Sequence, residues 1–192
     1  MFHYRILVAL LPLLAAGCTF NMAPVREAYP ARWQPLRPVG NSSCQEFVGI
    51  YNAMGEDAAS TSQANTLRLL GVVGLIRTVD AAYASLQAAY VSIQLAQDGS
   101  AYNMVALNSA KQPIMVAGTS EPISCSGGSL VRNYTRSSYA DGNSHESHSY
   151  VTLSLAADGA LVAHVTGASN TSDLLFESKQ NYDRFCRFTR SE

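Results

Sequence analysis

Two histidines and a glutamate are the side chains in this sequence best suited to hold a metal ion. His145, Glu146 and His148 lie together in the stretch GNSHESH. Imidazole and carboxylate groups are good ligands for zinc and copper. Their spacing is H-E-x-H, which differs from the H-E-x-x-H that places two histidines on one face of a helix. The flanking Asp, Gly, Asn and Ser residues favour a solvated loop between strands, so we expect a weak metal site at most and no cofactor.

Other side chains that could do catalysis do not form a recognisable set. Serine is abundant, but the chain contains no G-x-S-x-G, and no Ser/His/Asp set can be built from its histidines. His164 lies in an alternating apolar stretch, which predicts a partly buried structural histidine. Glu56 and Asp57 lie in a predicted polar loop, with a general acid–base pair as the open alternative. We expect no catalytic residues and a protein that is not an enzyme.

The first seventeen residues have the pattern of an export signal. A short head with one positive charge, Arg5, precedes an apolar run at 6–16 that ends in small residues. This run is too short to cross a bilayer, which needs about 20 apolar residues in a helix. Residues 1–17 are therefore predicted to be a signal peptide, and the mature chain is expected outside the cytosol.

The end of this leader, LAAGC at residues 14–18, resembles the bacterial lipobox, in which a cysteine receives a diacylglyceryl group before cleavage. The resemblance implies a mature chain that begins at acylated Cys18, and two or more acyl chains give stable membrane anchoring. Thr19 follows, rather than the aspartate that favours inner-membrane retention, so we expect an outer-membrane anchor facing the periplasm. The alternative is an ordinary cleaved signal with an incidental cysteine.

Charge and length exclude some partners and limit the number of domains. Removing residues 1–17 deletes one of 13 basic residues and none of the 14 acidic ones, so the mature charge is 12 minus 14, or −2. Without a basic excess, nucleic acid is not an expected partner. Residues 44–192 are long enough for one domain with its own hydrophobic core.

The cysteines predict one disulfide. With Cys18 acylated, Cys44, Cys125 and Cys186 remain. In an oxidising compartment three cysteines are expected to form one disulfide and leave one thiol. The residues alone allow three pairings.

Residues 18–43 are predicted to be a tether between Cys18 and the domain. Residues 19–43 hold four of the seven prolines in the chain and no alternating apolar pattern, which indicates a stiff, extended segment. Tyr29 and Trp33 lie inside it. We expect this aromatic pair to pack against the protein's own surface, with docking on a partner as the alternative.

Beyond residue 44 the hydrophobic pattern indicates about eight strands. Alternation and turn residues predict strands at 47–51, 91–96, 102–107, 112–117, 129 onward, 151–155, 161–165 and 182–189, with Asp-Gly hairpin turns at 98–99 and 158–159. Residues 53–65 are predicted to be a loop, and 66–89 one or two helices. The expected fold is mainly β (α+β). It is an antiparallel meander, forming a curved sheet or small barrel, with the helices between the first and second strands.

Three stretches, FVGIYNAMGE, CSGGSL and YDRFCRF, resemble a pattern found in small proteobacterial envelope lipoproteins. The similarity lies in strand and turn residues, so it concerns the fold and leaves activity open. It implies that Cys44 pairs with Cys125 and that Cys186 stays unpaired.

Two functions are consistent with these features. The first is an outer-membrane lipoprotein that serves as a structural or protein-interaction module of the envelope, with another envelope protein or peptidoglycan as its partner. The second is a lipocalin-like carrier of a small apolar ligand, because EFVGIY is similar to the G-x-W start of a lipocalin and eight strands can enclose a cavity. A carrier needs an apolar cavity. An interaction module should instead have an interior filled by Phe47, Tyr51, Leu95, Val105, Leu153 and Phe188.

Overall fold

The computed structural model describes residues 20–21, 25–38, 44–59, 67–75, 79–97, 99–117, 122–140, 143–172 and 177–191. The predicted signal peptide at 1–17, the predicted lipidation site Cys18 and Thr19 lie outside the described residues. Asp98, the first residue of one predicted hairpin turn, lies outside them as well.

Strands make up most of the described chain. In chain order they are β1 (Phe20–Asn21), β2 (Val25–Arg26), β3 (Gly49–Asn52), β4 (Met54–Asp57), β5 (Leu67–Arg68), β6 (Tyr90–Leu95), β7 (Tyr102–Leu107), β8 (Pro113–Ala117), β9 (Ser124–Ser126), β10 (Ser129–Ala140), β11 (Asn143–Leu155), β12 (Leu161–Ser172) and β13 (Glu177–Phe188). The helices are α1 (Leu69–Val72) and α2 (Val79–Gln87), and Cys44–Phe47 forms a 3-10 helix.

The strands form two sheets. The larger has nine strands in the order β5-β4-β13-β12-β11-β10-β9, with β1 and β2 paired in parallel along β13. The smaller has the order β3-β6-β7-β8 and is antiparallel. The mainly β class and the antiparallel meander are confirmed, and the larger sheet is open rather than closed into a barrel.

Four long consecutive strands, β10 to β13, form the centre of the larger sheet. Each spans 12 or 13 residues and pairs in register with the next along almost its whole length. At the turn between β11 and β12, Gly159 has a φ of 81° and the Asp158 carboxylate accepts the Ala160 N–H at 3.1 Å. This is the predicted Asp-Gly hairpin, in which glycine supplies the positive φ.

The region between the first strand of the smaller sheet and α2 differs from the prediction. Residues 53–65 were expected to be a loop, but they contain β4, which pairs with β13 through Glu56 and Asp57. A short strand with polar side chains has no apolar alternation, so its sequence does not distinguish it from a loop. The two helices lie within 66–89 as predicted, and each is short.

The main core lies between the two sheets and α1. Alternate residues of β10 to β13 face it. The largest fully buried side chains come from both sheets, the 3-10 helix and α1: Phe47, Tyr51, Leu69, Leu70, Ile93, Met104, Leu130, Leu153, Leu161 and Phe188. Five of the six predicted interior residues are buried, but Leu95 is 40% exposed and that prediction is wrong. Leu95 is the last residue of β6, where the strand runs beyond the buried region.

Residues 27–38, here called the N-terminal strap, pack on the outer face of the larger sheet, opposite the main core. Trp33 is 7% exposed and forms a second cluster with Val162, while Tyr29 makes edge-to-face contacts with Trp33 and Phe185. The Arg37 N–H also donates to the Leu155 carbonyl at 2.8 Å. This part of the predicted tether is therefore not a free spacer, and the expected packing of the aromatic pair on the protein's own surface is what the structure shows.

The structure pairs Cys44 with Cys125 across 81 residues and leaves Cys186 as a free, buried cysteine. The disulfide joins the 3-10 helix before β3 to β9, the edge strand of the larger sheet. It therefore links the start of the smaller sheet to the edge of the larger one, as the resemblance to envelope lipoproteins implied.

We expect Cys186 to be unreactive toward a chromogenic thiol reagent at pH 8 in the native protein and to react fully after unfolding in urea. Burial raises the pKa of this thiol from 9.0 to about 12, because the thiolate would lose its hydration. Since the pKa is raised in the folded state, this contribution to stability is complete below pH 9 and is lost as the pH rises toward 12. Rapid labelling of the native protein would contradict this placement.

Candidate functional site: a groove lined by arginine, tyrosine and serine

The predicted metal ligands lie on a strand and point to two different sides of the sheet. His145, Glu146 and His148 belong to β11, so the expectation of a loop was wrong. Because side chains alternate along a strand, His145 is on the core-facing side and His148 on the outer side. His145 Nδ1 lies 3.1 Å from the Thr171 hydroxyl, and His148 Nδ1 lies 2.9 Å from the Thr135 hydroxyl. Among the described residues no cluster of three or more metal-ligating side chains is present.

The remaining candidate residues contact other side chains in ways that stabilise the fold. His164 Nε2 lies 2.7 Å from Asp183 Oδ1, and its ring stacks on Phe185. Glu56 accepts a hydrogen bond from the Trp33 indole N–H at 3.1 Å and is also 3.6 Å from Arg187. Glu56 therefore helps to fix the N-terminal strap through Trp33, and His164 packs on the outer face of the sheet.

A polar groove of about 370 Å³ lies on the core-facing side of β10 to β13, beyond the end of the apolar core. On this face, the residues that pair across neighbouring strands form rows, and the rows change from apolar to polar along the strands. The row through Leu130 and Leu153 is apolar, whereas the row through Arg136, Ser147 and Ser169 is polar. The lining comprises one residue of α1, Gly71, and residues from the four long strands: Tyr134, Arg136, His145, Ser147, Ser149, Ser169, Gln180, Tyr182 and Arg184.

One wall of the groove is built by β10 against the end of α1. Arg132, Tyr134 and Arg136 alternate on β10, so all three point to the same side. Arg132 donates to the carbonyl of Val73, the Tyr134 hydroxyl donates to that of Val72 at 3.2 Å, and Arg136 donates to that of Gly71 at 3.4 Å. The last carbonyls of a helix lack partners within the helix. Three side chains of one strand thus satisfy three consecutive carbonyls and fix the position of α1.

The arginines of this wall also flank the Tyr134 ring. The guanidinium carbons of Arg132 and Arg136 each lie 5.4 Å from its centre, within the range of a cation–π interaction. Gly74 follows α1 with a φ of 72°, and a Cβ at this position would lie 2.5 Å from the ring. The aromatic ring is therefore enclosed by two cations and a glycine.

The floor of the groove depends on a second glycine. Gly167 lies beneath Tyr182, and a Cβ there would lie 2.2 Å from the His148 carbonyl oxygen and 2.7 Å from the Tyr182 hydroxyl. The Tyr182 hydroxyl lies 2.6 Å from Ser149 Oγ. The missing side chain lets the tyrosine lie across the sheet, where its hydroxyl meets the serine.

The groove carries positive charge. None of the described residues that line it has a carboxylate, whereas Arg136 and Arg184 contribute two guanidinium groups. Arg184 Nε is buried and has no hydrogen-bond partner among the described residues. Glu27 interacts electrostatically with Arg184 but is not part of the lining. Guanidinium groups have only hydrogen-bond donors, so an anionic ligand that supplies acceptors in the groove would be favoured.

The sequence contained a signal for this site. VRNYTRSS at residues 131–138 has the pattern R-x-Y-x-R, which on a strand places two arginines and a tyrosine on one face. The contribution of Arg184, Gln180 and the serines is not visible in any local pattern, because strand pairing brings them together from β11, β12 and β13.

The groove can bind a polar ligand through hydrogen bonds and charge. Among the described residues no helix is long and apolar enough to cross a membrane. No family model, no curated protein and no solved structure matches the chain.

Proposed function

We propose that this chain is an outer-membrane lipoprotein that faces the periplasm, is anchored through acyl chains on Cys18, and acts as a non-catalytic structural or protein-interaction module of the envelope. Its partner is an envelope protein or peptidoglycan. The polar groove on β10 to β13 is the contact surface. The observation that carries this proposal is a filled core beside an open groove, which Arg136 and Arg184 line with no carboxylate among its described lining residues.

A lipocalin-like carrier of a small apolar ligand is the second candidate. A depression of about 650 Å³ on the outer face, lined in part by Tyr150, Thr166 and Ala168, favours it. Carriers of apolar ligands hold them in cavities that enclose most of the ligand surface. The space between the two sheets is instead filled by large side chains such as Tyr51 and Phe188, and the depression is open. We therefore favour the interaction module.

The anchor is tested by replacing Cys18 with alanine. We expect the variant to leave the membrane fraction, because the acyl chains would have no thiol for attachment. Fractionation of cells followed by mass spectrometry of the purified N-terminus measures both outcomes. Unchanged membrane association, or a wild-type N-terminus without acyl groups, would overturn the anchor.

The contact surface is tested by photo-crosslinking in intact cells. A photoreactive amino acid replaces Gln180, which lines the groove, or Lys179, the exposed neighbour on the opposite face of β13. We expect a discrete adduct with an envelope component from position 180 and not from position 179. Equal adducts from both positions, or none from position 180, would remove the groove from the proposal.

A further inference from the structure

We infer that the groove binds an anionic saccharide, a ligand rich in hydroxyl groups that also carries carboxylate or phosphate. This inference rests on the proposed function, because it names the chemistry of the partner at the same surface. It follows from the charge of the groove, from the kinds of side chain on its floor, and from the hydrogen-bonding state of the backbone beneath it.

The positive charge selects the anionic part of the ligand. Arg136 on β10 and Arg184 on β13 lie on the two outer strands of the groove. Arg184 also lies four residues along β13 from Gln180, the residue in register with Arg136. Neighbouring strands are about 4.8 Å apart and residues along a strand about 3.3 Å apart, so the two arginine backbones are roughly 20 Å apart. Two cations at this separation fit an extended ligand better than a single small anion. The guanidinium groups of Arg136 and Arg184 can donate charge-assisted hydrogen bonds to anionic oxygens of a ligand in the groove.

The floor between the arginines selects hydroxyl groups. Ser147, Ser149, Ser169 and Gln180 lie there, and each of these side chains both donates and accepts hydrogen bonds. Sugar hydroxyls have the same dual character, so every orientation of a hydroxyl finds a partner. The Tyr182 hydroxyl adds one more group of this kind beside Ser149, at 2.6 Å.

The backbone beneath the groove disfavours an acidic peptide. Extended peptides are commonly recognised by pairing with an unpaired strand edge, which supplies main-chain hydrogen bonds. The groove instead crosses the middle of the sheet, where β11 and β12 are paired on both sides. Recognition here must come from side chains alone, which matches a ligand made of sugars.

The test measures binding to the mature chain purified in detergent, by calorimetry. The probes are a muropeptide (a disaccharide with carboxylates), the core oligosaccharide of a lipopolysaccharide, an uncharged chitin disaccharide and an acidic tetrapeptide. We expect one or both anionic saccharides to bind and the other two probes to bind much more weakly. The anionic saccharide that binds more tightly identifies the source of the ligand.

Two substitutions in the groove and one outside it assign the binding to this site. Arg184→Gln and Arg136→Gln should each weaken binding of the anionic saccharide about tenfold to a hundredfold, because each removes a charge-assisted hydrogen bond. Lys179→Gln removes the same charge from the opposite face of β13 and should change the affinity by less than about twofold.

Several outcomes would overturn the inference. Binding of the uncharged disaccharide as tight as that of the anionic ones would exclude recognition of charge. Tighter binding of the acidic peptide, or equal effects of Arg184→Gln and Lys179→Gln, would exclude a saccharide site in the groove. Failure of every probe together with a protein adduct from position 180 would overturn this inference and leave the proposed interaction module in place.

Discussion

Replacing both Cys44 and Cys125 with alanine is expected to lower the free energy of unfolding by about 4 kcal/mol. The disulfide closes a loop with a sequence separation of 81 residues. Closing a long loop removes many conformations from the unfolded chain, so the cross-link raises the free energy of that state. Urea unfolding followed by circular dichroism measures the loss.

The position of the disulfide adds a local effect. Cys125 lies in β9, a strand of three exposed residues at the edge of the larger sheet, whereas Cys44 is buried beneath it. Without the cross-link, β9 keeps only a short ladder with β10. Hydrogen exchange of the β9 amides should therefore accelerate more than that of β11 and β12.

Two controls separate the disulfide from the loss of side-chain packing. The wild type treated with reductant should lose about the same free energy as the double variant. A Cys186→Ala variant keeps the disulfide, so reductant should destabilise it as it does the wild type. Equal stability of oxidised and reduced wild type would contradict the prediction.

The parts of the fold that the sequence predicted are those in which one strand faces one environment over several residues. The stretch 151–155 alternates between apolar and polar residues because one side of β11 faces the core there. The stretch 161–165 is mostly apolar because Val162, on the other side of β12, packs with Trp33 of the N-terminal strap. The Asp-Gly turn between them limits the register, since glycine permits the positive φ. Local pattern and tertiary structure agree in this hairpin.

The predictions failed where the environment of a strand changes along its length or where the strand is short. β11 extends from Asn143, well before its apolar half, and its first residues are exposed. The residues around His145 and His148 show no alternation between apolar and polar types, so the sequence predicts a loop there. Their places are set by pairing with β10 and β12, which no local pattern contains. The candidate groove lies on the polar half of these strands, where tertiary pairing brings its residues together. The R-x-Y-x-R pattern of β10 is the one local signal that could have indicated it.

Two glycines with nearly equal φ angles make it possible to measure how tightly the groove wall is packed. Gly74 has a φ of 72° and Gly99 has a φ of 71°. A Cβ on Gly74 would lie 2.5 Å from the Tyr134 ring, whereas a Cβ on Gly99 would have nothing within 4 Å. The two positions therefore have nearly the same positive φ and differ in the space available for a side chain.

We expect Gly99→Ala to lower the free energy of unfolding by roughly 1–2 kcal/mol, the cost of a left-handed conformation for a residue with a Cβ. Gly74→Ala should cost a further 1–3 kcal/mol or so, because Tyr134 must move away from the added methyl group. Urea unfolding of both variants measures the difference. Since the Tyr134 hydroxyl holds the Val72 carbonyl, Gly74→Ala should also loosen α1, which hydrogen exchange at its amides would detect. Equal losses for the two variants would show that the ring yields freely, and the groove wall would then be too soft to hold its arginines in place.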